Sequence, residues 1–306
     1  MRYVVTGGAG FIGSNIVKLL VKNDHEEDII DNLHTGNKNK IKEVIDKVNF
    51  FKIDIRDKNS LEEIIKKSNG VFHEAALTAV PESFEKPQEY HDVNVIGTKN
   101  IFEIAKKENI RVVYASSSSI YGNAKNIPIK ENADRKPINP YGQTKLDDEF
   151  LAEEFSKNGL SVIGLRYFNV YGIGQTGSYA GVITKFLENI KNQKSFTING
   201  NGNQIRDFIH VNDIAKVNLV AMENKIKNGF FNIGTEIPTS INNLAKLMVE
   251  ISNHKYKTIL GPELEGDVKI SQADMNSTNK VFNWTHKINL LDGLRDLINN
   301  YLSLNS

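Results

Sequence analysis

From Tyr3 to Ser14 the chain reads Tyr-Val-Val-Thr-Gly-Gly-Ala-Gly-Phe-Ile-Gly-Ser. The apolar run Tyr3–Val5 stops at Gly7. An apolar stripe at helical spacing (Phe11, Ile12, Ile16, Val17, Leu20) then begins, so the glycines occupy a strand-to-helix turn. Gly7 permits a tight turn, and Gly10 lets backbone approach an anion with no Cβ in the way. Gly13 lets helix and strand pack closely while helix N–H groups face that anion. The spacing is G-x-x-G-x-x-G. Polar residues Lys22 to Glu27 lead to a second strand, Asp28–Ile30, that closes on Asp31-Asn32.

A glycine-rich turn alone can be a turn and nothing more. Strand, turn, helix, strand and terminal acid in that order make it a dinucleotide site. A carboxylate at 31 can accept both ribose hydroxyls and repels a 2′-phosphate, so NAD is expected over NADP.

The pattern repeats downstream. A third strand, Phe50–Ile53, ends at Asp54-Ile55, where an adenine can be sandwiched; a turn or helix cap is the other meaning of Asp54. Helix Leu61–Lys67 and Asn69-Gly70 lead to a fourth strand, Val71–His73, followed by Glu74-Ala75-Ala76, small residues past which a cofactor backbone can run. His73 reads as a hydrogen-bonded structural residue. Alternating β and α implies a parallel sheet with right-handed crossovers. An amphipathic helix over 92–108 carries Asn94 and an apolar stripe (Val95, Ile101, Phe102, Ala105).

With 306 residues, 40% hydrophobic and 25% charged, the chain suits one large or two interleaved domains. Its net charge is +1 with basic residues scattered, so no nucleic-acid footprint is expected. Having no cysteine, it has no disulfide, thiolate nucleophile or cysteine metal site, and no metal site is expected. No apolar run reaches about 18 residues and the first strand starts at residue 3, so neither membrane span nor signal peptide is expected and the reading is cytoplasmic.

The fifth strand, Arg111–Ala115, runs into Ser116-Ser-Ser-Ser-Ile-Tyr-Gly122. Four hydroxyls leaving a buried strand all need partners, which a polyhydroxylated ligand can supply. After a Pro-containing loop, Tyr141-Gly-Gln-Thr-Lys145 opens a helix and sets phenol and ammonium on one face. A solvated Lys beside a core Tyr is the common meaning of this spacing. Beyond a nucleotide fold it describes a phenol whose pKa a neighbouring cation lowers, able to exchange a proton with a sugar hydroxyl.

The chain resembles the extended short-chain dehydrogenase/reductases, and among them the sugar-nucleotide 4-epimerases. The likeness rests on TGGAGFIGS (6–14), DNLHTG (31–36), VYASSSSIYG (113–122), YGQTK (141–145), LRYFNVYG (165–172), RDFIHVNDIA (206–215) and FNIGT (231–235). It implies an α/β fold: a Rossmann-type doubly wound parallel sheet with a smaller C-terminal α/β substrate domain. The split is 1–165 plus about 204–235 for NAD, and 166–203 plus about 236–306 for the sugar nucleotide. It further implies that NAD takes hydride from C4 of a UDP-hexose and returns it to the other face of a 4-keto intermediate.

By matching motifs, Tyr141 is the base, Lys145 its electrostatic partner and ribose ligand, and Ser117 the hydroxyl on O4, with Ser116 and Ser118 as rivals. Gly7, Gly10, Phe11, Ile12, Gly13, Asp31, Asn32, Asp54, Ile55, Ala75, Ala76, Asn94 and Tyr167 complete the expected cofactor set. Related dehydratases carry Asp-Glu where this chain has Ser118-Ser119, and related decarboxylases carry Glu at the second position, so epimerisation is preferred. Asn169, Val182 in a segment opened by Tyr179, Arg206, Asp267 and Ser271 are expected at the substrate, although Arg206 also reads as a solvated cation. Leu264 stands where an arginine for the phosphates is expected, with Lys269 as the available substitute. Ser271 occupies a position that is a bulky Tyr in epimerases restricted to plain hexoses, so UDP-GlcNAc and UDP-GalNAc are expected substrates beside UDP-glucose and UDP-galactose. Uronate epimerisation is a same-family alternative, and a non-catalytic NAD-binding scaffold one of a different class. The resemblance also implies a homodimer through the helices near 92–108 and 142–157.

Overall fold

The glycine turn sits at the centre of a parallel sheet. A computed structural model describes residues 1–175, 181–253, 255 and 257–303. It contains β1 (Arg2–Thr6), β2 (Glu26–Ile30), β3 (Asn49–Phe51), β4 (Gly70–His73), β5 (Arg111–Ser117) and β6 (Val162–Tyr167). The strands β7 (Asn169–Tyr171), β8 (Phe196–Asn199) and β9 (Ile205–His210) lie outside this layer, and β10 (Asn228–Ile233) returns to it. Among the described residues the sheet order is β10-β6-β5-β4-β1-β2-β3, and every pairing in it is parallel. Strand order reverses between β1 and β4. The crevice beyond their carboxyl ends is where such a sheet binds ligands.

Both faces of the sheet are covered, which is why β4 and β6 are buried throughout. On one face lie α1 (Phe11–Lys22) and, late in the chain, Val211–Glu223, packing Ile16, Val17, Leu20, Ile214 and Val217 on Tyr3, Val5 and Ile163. On the other lie α2 (Lys58–Ile65), α5 (Gly97–Lys107) and α6 (Pro140–Lys157), which bury Leu61, Ile101, Phe102 and Ala152 against Val4, Val71 and Val112. Each such aliphatic or aromatic side chain contributes about 1.5–3 kcal/mol on burial. Between β4 and α5 the chain makes two short helices, α3 (Val80–Glu85) and α4 (Pro87–Tyr90).

A third core gathers under the C-terminal half. Phe186 of α7 (Val182–Lys191) stacks on Phe196 of β8, centroids 4.3 Å apart and rings 5° from parallel. Around them pack Leu244 and Met248 of Ile241–Ser252 and Leu294, Leu297 and Ile298 of Leu290–Ser303. Here β9 is the middle of three strands, parallel to β7 and antiparallel to β11 (Pro238–Ser240).

Several boundaries differ from the sequence reading. The second strand starts at Glu26 and the third is Asn49–Phe51, because pairing with their neighbours, not polarity, sets strand length. Helix α2 begins earlier, at Lys58, since the Asp57 side chain accepts from Ser60 N and caps it. The expected 92–108 helix is a π-helical turn, His91–Ile96, running into α5. The chain turns at 200–201 between β8 and β9, but the two do not pair, because β8 pairs in parallel with β12 (Thr258–Gly261). Tyr179 lies outside the described residues. No described helix is long and apolar enough to cross a membrane.

Candidate active site

Steric demands build the turn before any ligand is considered. Gly7 has φ +68°, where L side chains rarely go, and a Cβ there would lie 2.7 Å from Ala75 N. A Cβ on Gly10 would lie 2.9 Å from the Gly7 carbonyl oxygen, and one on Gly13 would collide with that same oxygen. Gly10 therefore closes the turn itself, whereas the sequence reading gave it only ligand clearance. No side chain caps the first turn of α1, so its N–H groups remain for an anion.

The turn opens on a cavity of about 560 Å³, within the range of small-molecule sites. Gly7, Gly10, Phe11, Ile12, Gly13, Asp31, Asn32, Ile55, Ala75 and Ala76 all line it. Asp31 Oδ2 accepts from Ala9 N at 3.0 Å and Oδ1 from Leu33 N at 2.8 Å. Each oxygen keeps a second lone pair for a ribose hydroxyl. Burial nevertheless pushes this carboxyl up, with the two amides and Lys40 pulling the other way.

Five expected cofactor residues, Asp54, Asn94, Tyr141, Lys145 and Tyr167, are not on the cavity wall. Asp54 is bidentate to Arg56 (2.9 and 2.8 Å) and accepts from Asn32, bonds that hold it well below the usual carboxylate range. Arg56 lines the cavity in its place. Asn94 spends its amide on Leu77 N, Leu77 O and Thr144, tying the wall loop to α6. Tyr167 is buried behind Glu74, donating to its Oε1 at 2.9 Å and accepting from Asn218 at 2.7 Å. Lys145 is also behind the wall, 3% exposed, with Nζ 3.2 Å from Asp148 Oδ2. Burial pulls its ammonium down, but Asp148, Tyr141 and Glu74 more than offset this and leave it raised, hence charged. Glu74 itself lines the cavity, on the stretch past which the sequence reading ran the cofactor, although that reading gave its carboxyl no role. His73 is neutral: its ring bonds Thr6 and Thr98 at 2.7 and 2.8 Å, and burial reinforced by Lys145 brings it down to about 3.

Tyr141 lies in the first turn of α6, one turn before Lys145. The helix is started by Asn139, whose Oδ1 accepts from Gly142 N at 2.7 Å, and by Pro140 at its first position. Ser117 ends β5, its Oγ accepting from Ser119 N and donating to Ser119 Oγ, both at 3.1 Å. Its rival Ser116 is committed elsewhere, donating to Glu149 Oε1 at 2.7 Å. That carboxylate also takes both prongs of buried Arg166, a clamp joining β5, β6 and α6.

Across the crevice the expected substrate residues collect on β9. Arg206 and Asp267 pair at 2.5 Å, Ser271 N donates to Ile205 O, and Asn169 stands opposite Phe208 on β7. Val182 opens α7. Leu264 is 46% exposed, and Lys269, exposed as well, accepts on its carbonyl from Ile205 N, beside Arg206. The two sides meet where Asn139 Nδ2 donates to Gly266 O at 3.3 Å. No described group of His, Asp or Glu side chains could hold a metal ion.

These walls suit a dinucleotide: uncapped amides, a carboxylate with acceptor capacity left, apolar Ile55, and a buried Glu74 Oε2 without a partner. The model of the "NAD dependent epimerase/dehydratase family" matches residues 3–234. The chain belongs to that family. Among curated relatives of the family, a provisionally named UDP-glucose 4-epimerase of Methanocaldococcus jannaschii is 39% identical over 97% of both chains. Among solved structures, UDP-glucose 4-epimerase of Thermotoga maritima with UDP-glucose superposes at TM-score 0.96 with 32% identity over the whole of both chains. UDP-N-acetylglucosamine 4-epimerase of Methanobrevibacter ruminantium, in complex with UDP-N-acetylmuramic acid, superposes at 0.94 with 34% identity, covering 99% of this chain and 98% of that one. With such relatives and structural neighbours, the chain is an NAD-dependent isomerase of the UDP-sugar 4-epimerase group.

Proposed function

We propose that this enzyme interconverts UDP-glucose and UDP-galactose, and UDP-GlcNAc and UDP-GalNAc, by 4-epimerisation. The observation that carries the reading is the charged, buried Lys145 one helical turn from Tyr141, beside the β5 end that presents Ser117. Bound NAD supplies reversible hydride acceptance. The chain supplies the proton chemistry: Tyr141 takes the O4 proton, Lys145 stabilises the phenolate, and Ser117 orients O4. Arg206, held by Asp267, takes charge on the diphosphate. Ser271, buried but small, leaves room for a 2-acetamido group, and the structural likeness to a UDP-N-acetylglucosamine 4-epimerase supports that extension.

In this reading the sheet with its helices, 1–165 plus about 204–235, forms the NAD lobe, and the remainder forms the sugar-nucleotide lobe. Ile96 and Phe150, 41% and 49% exposed on the π-helical turn and α6, support a homodimer through these helices. The test is to mix purified protein with UDP-galactose, without added NAD, and separate the products. UDP-glucose should form, and UDP-GlcNAc should form from UDP-GalNAc. No turnover of either pair rejects epimerisation, and turnover of the plain pair alone rejects the Ser271 argument.

A further inference from the structure

Glu74 follows directly on β4 and its backbone is pinned, Glu74 N donating to Thr6 O at 3.1 Å. Its carboxyl is fixed by one bond, from Tyr167 to Oε1. The other oxygen, Oε2, is buried and has no partner among the described residues. Buried orphan acceptors are costly and rare, and at a residue that lines a ligand cavity such an oxygen is left to answer to the ligand's charge, not to a hydrogen bond within the protein. The charged and titratable groups facing it are Tyr167 of β6 and Lys145 of α6, the latter facing Tyr141 and Asp148 in turn. Glu74 therefore stands at the reactive end of the cavity, on the reading that Tyr141 and Lys145 mark that end.

A nicotinamide ring is positively charged when oxidised and neutral when reduced. Beside it, a carboxylate is favoured in the first state and a carboxylic acid in the second. We propose that Glu74 is the countercharge of the ring: ionised against oxidised NAD, and protonated on Oε2 by water-borne H+ when hydride from sugar C4 neutralises the ring. The balance is one hydride gained by the ring and one proton gained by Glu74, with Tyr141 separately holding the O4 proton. Burial lifts Glu74 to about 8 before any ligand charge acts. The exchange thus falls in the neutral to alkaline range.

The test uses the holoenzyme as purified and reads the bound cofactor's oxidation state by its near-ultraviolet absorbance, at equilibrium with a redox couple of known potential. Across the units of pH around Glu74's midpoint, reduction of the wild type should become about tenfold less favourable per pH unit beyond the nicotinamide couple's own dependence. In Glu74→Gln that extra proton should disappear. A wild type showing only the couple's own dependence overturns the proposal whether or not the variant folds. Retention of the extra proton by the variant overturns it too. Epimerisation of UDP-galactose is measured separately, so loss of the countercharge and loss of the reaction are told apart.

Discussion

Glu27 lies on β2 beside Tyr3 of β1, 2% exposed, and neither carboxyl oxygen has a hydrogen-bond partner among the described residues. Burial pushes its carboxyl up to about 7. A group whose pKa is raised by folding stabilises fully below its unfolded pKa, and that contribution fades as pH rises through the folded one. The Glu27 contribution is therefore present in the ordinary carboxylate range and gone above about pH 7. Glu27→Gln should raise stability by about 2 kcal/mol near pH 8 and change it little near pH 4, as urea denaturation at the two pH values will show. Glu27 and Glu74 have the same type of side chain and both carry unpartnered buried oxygens. Only Glu74 lines the cavity, so only there does the cost have a ligand to relieve it.

At the scale of elements, α6 carries the pair proposed for the proton chemistry and shows what a sequence can and cannot disclose. The Tyr141–Lys145 spacing was legible because i and i+4 share a helical face whatever the surroundings. That Lys145 leans on Asp148, and that Glu149 is claimed by Arg166 of β6 and Ser116 of β5, depends on packing between elements far apart in the chain. The partner of Asp54 is local, Arg56 two residues on, yet an acid at a strand's end does not by itself announce such a pairing. The turn at 91–96 escaped because α and π periodicities scarcely diverge over six residues. The glycine at 142 is the most exacting position of the helix. A Cβ there would sit 2.9 Å from Ser119 O and 3.1 Å from Pro137 Cβ. Alanine's helical advantage is about 1 kcal/mol, and forcing a methyl into close-packed surroundings costs about 1–3 kcal/mol, so the clash wins. Gly142→Ala should shift Tyr141 away from the Ser117 turn and lower kcat about 10- to 100-fold, with the fold retained by circular dichroism.

Over the whole molecule, the parallel sheet with both faces covered followed from the alternation of apolar strands and amphipathic helices, since burial on both faces leaves few other solutions. How the C-terminal half closes on the sheet did not, because it rests on contacts between segments far apart in the chain, apolar (Ala273, Met275, Phe282 and Trp284 in the sheet's core) as well as polar. Asn139 makes one of the polar ones. Its Oδ1 caps α6, and its Nδ2 reaches Gly266 O on the segment whose Asp267 holds Arg206. Phe84 of α3 packs there as well, since a Cβ on Gly266 would lie 3.1 Å from its ring. The helix that bears Tyr141 and the arginine read as the diphosphate ligand are thus linked through one side chain. Asn139→Asp separates the two roles: a carboxylate still accepts from Gly142 N, keeping a cap worth about 1 kcal/mol, but cannot donate to Gly266 O. Losing a neutral hydrogen bond of about 1 kcal/mol predicts a KM for the UDP-sugar raised about fivefold, with the melting temperature little changed. Asn139→Ala, which loses both bonds, should raise KM similarly and also lower the melting temperature by about 1–2 °C, what 1 kcal/mol gives in a chain of this size. If Asn139→Asp melts as the wild type and binds substrate equally well, the contact to Gly266 plays no part in holding the cleft.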